Sequence, residues 1–190
     1  MNIIFLDFDG VLNTLSEFYC TDEEKMKNKE KRIKILAEMC KKYNCKIVIE
    51  ASVKQFIDEE TLETDVKWVN KIFDLFKKYD IEYIGRTPVV KKWLSDNSFL
   101  SIWKQDEIRL YLFRHPEIDH YVVIDDDDAP FWRHGISDLD LVRKHLVKTE
   151  YYLKDNPDEE GLLEKHIDEV GEKLKEENEI KKFALKRHNK

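Results

Sequence analysis

The feature that most constrains this chain is an apolar segment, residues 3–6, that leads directly into the acidic sequence DFDG at residues 7–10. A continuous apolar run predicts a strand that is buried on both faces, as in a parallel sheet. The carboxyl end of such a strand is where open α/β sheets bind ligands. Residues i and i+2 of a strand point the same way, so Asp7 and Asp9 should face one site, and Gly10 lets the backbone turn away from it. The alternative is a strand that ends in a solvated acidic turn.

Strand and helix patterns alternate along the rest of the chain. Further strands are predicted at residues 46–49, 81–84, 121–124 and 145–147, and helices at 22–43, 66–76, 104–115 and through most of the chain from residue 160. Residues 14–22 and 89–103 are predicted loops. This alternation predicts an α/β fold with a parallel sheet of about five strands and helices on both faces. We expect one domain over residues 1–170 and a charged C-terminal helix or linker over residues 171–190.

Charge and cysteine usage narrow the classes of function. The formal net charge is −7, which disfavours a nucleic-acid binder with a basic surface but is compatible with a local basic patch. Cys20, Cys40 and Cys45 show no paired spacing, which fits a reducing compartment and buried, small apolar side chains. The sequence shows neither a basic leader nor an apolar run near the ~20 residues of a membrane span. We therefore expect a cytoplasmic protein without a membrane segment.

Polar side chains end three of the first four predicted strands. They are Asp7 and Asp9, Glu50 and Ser52, and Asp125 and Asp126. Because the carboxyl ends of parallel strands meet at one edge of the sheet, we expect these side chains to converge.

The segment DFDGVL at residues 7–12 resembles motif I of the haloacid dehalogenase (HAD) superfamily, whose pattern is D-x-D-G-[TV]-[LV]. The resemblance implies a Rossmann-like HAD fold and a phosphomonoester hydrolase. It implies that Asp7 attacks phosphorus and becomes an aspartyl-phosphate. It also implies that Asp9 protonates the leaving group and later activates water.

The four aspartates at residues 125–128 follow a predicted strand and resemble motif IV of the family in its Asp-Asp form, whose acids hold Mg²⁺. The resemblance implies that Asp126 is a direct ligand and Asp125 a direct or water-mediated one. Mg²⁺ prefers hard oxygen ligands and keeps several waters, so Asp7 and the Asp9 carbonyl would complete the site. The alternative is a solvated acidic loop.

The predicted helix before the fourth strand begins at Lys104, where the family carries the cation of its motif III. A lysine and a helix amino end together favour a bound phosphate, so Lys104 is the expected third catalytic residue. Arg86 and Lys91 are alternatives for this cation, and a surface position is the alternative for Lys104.

Motif II departs from the family pattern, which places Ser or Thr at the end of the second strand to hold a phosphate oxygen. Here Glu50 or Ala51 occupies that position, depending on the register, and Ser52 is the only hydroxyl at hand. Ser52 is therefore assigned to substrate binding, together with Gly10. If the altered motif has lost its hold on phosphate, the chain would instead be a non-catalytic HAD-fold binding module.

The sequence KQDEI at residues 104–108 resembles the R-G-x-E-I run of a HAD subgroup found in RNA-repair proteins. HLVKT at 145–149, followed by GL at 161–162, is similar to the same subgroup. The S-S-W-R of that subgroup corresponds to ASVK at 51–54, without the Trp and Arg. This departure weakens the assignment to the RNA-repair subgroup more than it weakens the assignment as a phosphatase.

The segments between the motifs leave little room for a large cap domain, and in this family an open cleft goes with macromolecular substrates. Aromatic residues follow motifs I and IV and occur in the loop before Lys104. They are Phe18, Tyr19, Trp93, Phe99, Trp103, Phe131 and Trp132. Rings around an open cleft could stack on phosphotyrosine, and the chain is similar to HAD-type effector protein-tyrosine phosphatases, which are secreted and would act in a host cytosol. We expect a phosphorylated macromolecule as partner, with protein phosphotyrosine ahead of 3′-phosphorylated nucleic acid; the alternative is that these rings are core.

Overall fold

The computed structural model of the chain describes residues 1–89, 91–93, 99–101, 104–127 and 141–188, and the side chains of all these except 91–93, 99–101 and 186–188. The strands are β1 (Asn2–Leu6), β2 (Cys45–Ile49), β3 (Tyr83–Arg86), β4 (Lys91–Trp93), β5 (Phe99–Ser101), β6 (His120–Asp125) and β7 (Leu146–Lys148). The α-helices are α1 (Asp22–Tyr43), α2 (Lys67–Lys78), α3 (Lys104–Arg114), α4 (Lys165–Lys173) and α5 (Glu179–His188).

The main sheet has five parallel strands in the order β3-β2-β1-β6-β7, so β1 is its central strand. Leu6 of β1 is in register with Ile49 of β2 and Ile124 of β6. The next residue of each strand lies at the carboxyl edge of the sheet, and these neighbours are Asp7, Glu50 and Asp125. The structure confirms the predicted α/β, Rossmann-like fold.

Helices cover both faces of the sheet. Ile4 and Leu6 pack with α1, α2 and α4, whereas Ile3 and Phe5 pack with α3 and α5. Alternate residues of β1 therefore enter two separate cores, as the geometry of a strand requires. Ile180 of α5 is buried in the second core, so part of the charged C-terminal segment packs on the sheet domain. The predicted domain boundary at residue 170 stays a prediction.

The longest helix, α1, has the bounds that its sequence pattern predicts. Its start is a capping box in which the Glu24 N–H donates to Thr21 Oγ1 (3.3 Å) and the Thr21 N–H donates to Glu24 Oε2 (2.8 Å). Its end is marked by Asn44, whose φ of 51° is left-handed. Both ends are fixed by local contacts, which is why the sequence could predict the bounds of α1.

Other elements differ from the prediction in detail. The third strand is Tyr83–Arg86 rather than residues 81–84. It includes Gly85, where a β-carbon would lie only 2.8 Å from the Tyr111 hydroxyl. The predicted loop over residues 89–103 contains β4 and β5, which pair antiparallel. His145 lies in a short 3₁₀ turn before β7, and the helical region after residue 160 is divided into α4 and α5. Two cysteines are buried as expected, whereas Cys20 is half-buried.

Within the described residues, no segment forms a large cap domain. The connection from β1 to β2 holds a 3₁₀ helix and α1. The connection from β2 to α3 holds a 3₁₀ helix, α2, β3 and the β4–β5 hairpin. In the same part of the chain, no helix has both the length and the apolar character needed to cross a membrane.

Candidate active site

Asp7 lies at the centre of the carboxyl edge of the sheet, directly after β1. Its N–H donates to the Ile124 carbonyl at 3.0 Å, which continues the ladder to β6 and fixes its backbone. Its Oδ1 accepts from the Phe8 N–H at 2.8 Å, and its Oδ2 accepts from Lys104 Nζ at 2.6 Å. The side chain is buried. Both carboxylate oxygens are therefore held in place by groups of this chain.

Lys104, the first residue of α3, bridges two strands of the sheet. Its Nζ lies 2.6 Å from Asp7 Oδ2 and 2.6 Å from Asp125 Oδ2. Burial alone lowers the pKa of Lys104, but the two carboxylates more than offset this and raise it. The ammonium group is thus a permanent positive charge beside Asp7. The side chain of Lys91, an alternative in the sequence, lies outside the described residues.

A third carboxylate, that of Asp126, joins these two. Asp7, Asp125 and Asp126 each offer an oxygen, and the three oxygens lie within 4.8 Å of one another. Burial and the Asp7 charge raise the pKa of Asp125 to about 7, although Lys104 acts in the opposite direction. Burial also raises the pKa of Asp126. Three carboxylates with one ammonium group carry excess negative charge, and such an oxygen cluster fits a hard divalent cation such as Mg²⁺.

Asp9 lies outside this cluster of three carboxylates. It is exposed, and its Oδ1 accepts from Asn13 Nδ2 at 2.9 Å. Although Asp7 and Asp9 are only two residues apart, the Asp7 carboxylate therefore lies in a buried, charged site, whereas the Asp9 carboxylate lies at the solvent side of that site. A carboxyl group at the solvent side suits proton exchange with a leaving group or water. The predicted metal role of Asp9 rests on its carbonyl and stays a prediction.

The comparison with protein families decides the classification. Residues 3–156 match the family described as the HAD domain in Swiss Army Knife RNA repair proteins. The chain belongs to this family. No curated protein and no solved structure matches it significantly. The match confirms the resemblance to RNA-repair proteins and places the chain among HAD phosphatases and hydrolases, which typically use Mg²⁺.

The structure shows the role of two segments that resemble the RNA-repair subgroup, HLVKT at 145–149 and GL at 161–162: both form hydrogen bonds to the turn after β1. Thr149 Oγ1 donates to the Gly10 carbonyl at 2.8 Å, and the Thr149 N–H donates to the Asp125 carbonyl at 3.0 Å. The Leu162 N–H donates to the Val11 carbonyl at 2.9 Å. Two segments remote in sequence therefore hold the turn that follows Asp7 and Asp9.

A buried arginine of α1 also anchors this turn, and the sequence analysis missed it. Arg32 donates to the Leu12 carbonyl at 3.1 Å and to Thr14 Oγ1 at 3.2 Å, and it forms an ion pair with buried Glu17. The one available signal in the sequence is that Arg32 falls on the apolar side of α1, which indicates a buried arginine. The sequence offers no means to identify the hydrogen-bond and ion-pair partners of Arg32.

The motif II region contains a second buried ionic cluster instead of a hydroxyl that faces Asp7. Glu50 is fully buried, and both its oxygens accept from Lys54 Nζ at 2.9 Å. Lys54 also pairs with Glu107 Oε2 at 2.5 Å, and the Thr87 hydroxyl donates to Glu50. Lys54 occupies the Arg position of S-S-W-R and Glu107 the Glu position of R-G-x-E-I. In this chain an ion pair therefore joins the two segments that correspond to these motifs.

Ser52 and Arg86 make no polar contact with the described side chains of the cluster around Asp7. Ser52 is exposed at the start of the 3₁₀ helix Ser52–Phe56. Arg86 Nε donates to the Ile57 carbonyl at 2.7 Å, and its Nη2 lies 3.4 Å from Glu59. No hydrogen bond or ion pair links either residue to the described side chains of the Asp7 cluster. The assignment of Ser52 and Gly10 to substrate binding stays a prediction.

Proposed function

We propose that this protein is a Mg²⁺-dependent phosphomonoesterase that works through an aspartyl-phosphate at Asp7. The observation that carries the proposal is the position of Asp7. It is the central carboxylate of an acidic cluster, and a lysine that opens a helix lies 2.6 Å away. A helix amino end and an ammonium group together favour a bound phosphate.

In the first half-reaction, an Asp7 carboxylate oxygen attacks phosphorus while the bond from phosphorus to the ester oxygen breaks. Asp9 donates its proton to the departing oxygen, so the product leaves as an alcohol or phenol. Lys104 offsets negative charge on the phosphoryl oxygens as they approach Asp7. The products are the aspartyl-phosphate and a deprotonated Asp9.

In the second half-reaction, Asp9 takes a proton from a water molecule whose oxygen attacks phosphorus. The bond between phosphorus and the Asp7 oxygen breaks, which releases inorganic phosphate and restores both carboxyl groups. Asp9 therefore acts first as an acid and then as a base. Its exposed side chain, bonded to Asn13, is suited to both contacts.

The residues that would hold Mg²⁺ are Asp7, Asp125 and Asp126, together with the carbonyl of Asp9. A bound Mg²⁺ ion supplies Lewis-acid stabilisation of charge on the phosphoryl oxygens. Lys104 holds Asp7 and Asp125 close together, so this chain brings the carboxylates into one cluster by its own contacts.

The substrate that we propose is a phosphorylated macromolecule. The name of the matched family refers to RNA repair, which supports a phosphorylated nucleic-acid end, with a 3′-phosphate as the first choice. Protein phosphotyrosine is the second candidate, supported by the exposed rings of Phe18 and Tyr19. The other aromatic side chains that suggested it, from Trp93 to Trp132, lie outside the described residues.

The test is phosphate release from p-nitrophenyl phosphate, a 3′-phosphorylated oligonucleotide and a phosphotyrosine peptide, with Mg²⁺ or with EDTA. We expect activity with Mg²⁺, none with EDTA, and none in Asp7→Asn, because an amide is a poor nucleophile. The Asp126→Ala variant should need a higher Mg²⁺ concentration than the wild type for half-maximal activity. Asp22→Asn, at an exposed aspartate of α1, is the matched control and should remain active.

Activity retained by Asp7→Asn would contradict the aspartyl-phosphate mechanism. Mg²⁺-dependent binding of the oligonucleotide without turnover would instead support the binding module. The altered motif II, in which Ala51 replaces the first serine of S-S-W-R and the preceding Glu50 is paired with Lys54, is the observation in favour of that second candidate.

A further inference from the structure

A recess of about 480 Å³ opens directly beside Asp9 and Asn13. This volume falls within the range of about 300–1,000 Å³ that is usual for small-molecule sites. Asp9 is the residue proposed to protonate the departing oxygen. The recess therefore adjoins the leaving group of the substrate rather than its phosphate.

Three aromatic rings from separate segments line this recess, and all are exposed. Phe18 follows the turn after β1, Trp68 is in the first turn of α2, and Tyr151 follows β7; their exposed fractions are 77%, 39% and 38%. The Trp68 ring packs edge-on against Phe8, with centroids 6.0 Å apart. Because Phe8 follows the nucleophile directly, this contact fixes the Trp68 ring relative to the reacting centre.

Two lysines of α1, Lys25 and Lys29, line the same recess. Lys29 Nζ lies 6.0 Å from the centroid of the Trp68 ring. In the part of the chain that the structure describes, no carboxylate lies within ion-pair distance of Lys29. The nearby Glu17 is already paired with Arg32. The recess thus offers stacking surfaces next to a positive charge that has no ion-pair partner among those residues.

We propose that this recess binds the terminal nucleotide of a phosphorylated nucleic-acid end, with its base stacked on Trp68 and its phosphodiester bound by Lys29. The proposal rests on the phosphomonoesterase activity proposed above. Aromatic side chains that stack on bases, next to cations that bind the backbone, are the usual means of binding single-stranded nucleic acid. A phosphotyrosine would also fill the recess with a ring, but its only phosphate would lie at Asp7 and leave Lys29 without an anion. Lys25 is already within 3.9 Å of Asp22, so it is Lys29 that favours the nucleotide.

The stacking contact is tested by removing the ring and the base, separately and together. The substrates are a 3′-phosphorylated oligonucleotide and the same oligonucleotide with an abasic terminal residue. Since stacking of one base contributes about 1–3 kcal/mol, the wild type should prefer the intact substrate by about tenfold in kcat/KM. Trp68→Ala should reduce that preference to near one, and Trp68→Phe should restore most of it. Phe183→Ala, at an exposed ring of α5, should retain the full preference.

The cation is tested by the salt dependence of binding, measured by fluorescence anisotropy with a labelled oligonucleotide. Each phosphate contact to single-stranded nucleic acid contributes about 0.7 to the slope of log affinity against log salt, so Lys29→Met should lower the slope by about that amount. Lys41→Met is the matched control, because it is an exposed lysine of the same helix three turns further on. It should leave the slope unchanged.

Two results would overturn the inference: an unchanged base preference in Trp68→Ala, or a greater loss of phosphotyrosine-peptide turnover than of oligonucleotide turnover in that variant. The second result would make the recess a peptide site. If the wild type hydrolyses no phosphomonoester, the proposed function fails, and anisotropy still decides about the recess. Weaker oligonucleotide binding by Trp68→Ala would then support the recess, and equal binding would refute it.

Discussion

The backbone of Gly10 packs directly against the carboxylate of Asp126. A β-carbon built on Gly10 would lie 2.1 Å from Asp126 Cγ, and the φ of Gly10 is +76°. Only glycine satisfies both the contact and the left-handed backbone without strain. The glycine of DFDG thus leaves room for a carboxylate of the proposed metal site.

Replacement of Gly10 by alanine should weaken Mg²⁺ binding and destabilise the fold. The new methyl group would displace Asp126, so we expect the Mg²⁺ concentration for half-maximal activity to rise at least about tenfold, the effect of ~1.4 kcal/mol. A non-glycine residue with left-handed φ costs a further ~1 kcal/mol in the free energy of unfolding. Mg²⁺ titration of activity and thermal denaturation measure the two effects. Gly171→Ala, which meets the Tyr43 ring instead, should lose stability but keep its Mg²⁺ requirement.

Lys104→Met should lower kcat because it removes the cation beside the nucleophile. Loss of one preorganised group that stabilises transition-state charge typically costs about 10²–10³ in kcat. Arg86→Met is the comparison, since the described contacts of Arg86 go to Ile57, Thr87 and Glu59. Steady-state kinetics at saturating Mg²⁺ would show the difference. A larger loss in Arg86→Met would transfer the motif III role to Arg86.

Asp9→Asn should affect substrates according to their leaving groups. An alkyl ester needs a proton from Asp9, whereas an activated dinitrophenyl ester departs without one. We expect the variant to lose alkyl-ester turnover but to release about one dinitrophenolate per enzyme in a rapid burst, since hydrolysis of the aspartyl-phosphate still needs the base. Stopped-flow absorbance measures the burst. Equal losses on both esters, with no burst, would argue against the acid role of Asp9.

Glu50→Gln should change how stability depends on pH. Burial raises the pKa of Glu50 to about 8, against the opposing effects of Lys54 and Thr87, and the neighbouring Glu107 raises it further. The folded state therefore retains a proton that the unfolded chain releases near its ordinary pKa of about 4.5, so the wild type loses stability as pH rises from about 4.5 to about 8. Glutamine has no proton to lose at this position.

Between pH 5 and pH 8, the free energy of unfolding of the wild type should therefore fall relative to that of Glu50→Gln. The relative fall is on the order of a few kcal/mol, because each unit of pKa shift corresponds to about 1.4 kcal/mol. Urea denaturation at several pH values measures it, with Glu82→Gln, at an exposed glutamate, as control. Parallel pH curves for wild type and Glu50→Gln would show that Glu50 is not the titrating group.

The sequence by itself determined the parallel sheet, its buried first strand and most of the acidic edge. The apolar run before Asp7, the apolar strand before Asp125 and the caps of α1 are local patterns. Each reports burial or backbone conformation within a few residues. Parallel order then follows from the alternation of strands and helices, which is why Asp7 and Asp125 could be assigned to one edge in advance. Lys104 was assigned from the resemblance to the family's motif III.

Only the tertiary structure decided which charged residues pair and which rings surround the site. The Lys54–Glu107 pair joins residues 53 positions apart, and Thr149 bonds to Gly10 across 139 positions. The contact of Trp68 with Phe8 likewise depends on how α2 lies on the sheet. The local sequence pattern around a residue indicates whether its side chain is buried. It does not identify the interaction partner of that side chain, because the partner depends on how the helices dock on the sheet. The ionic cluster around Glu50 and the recess beside Asp9 therefore emerged only from the packed fold.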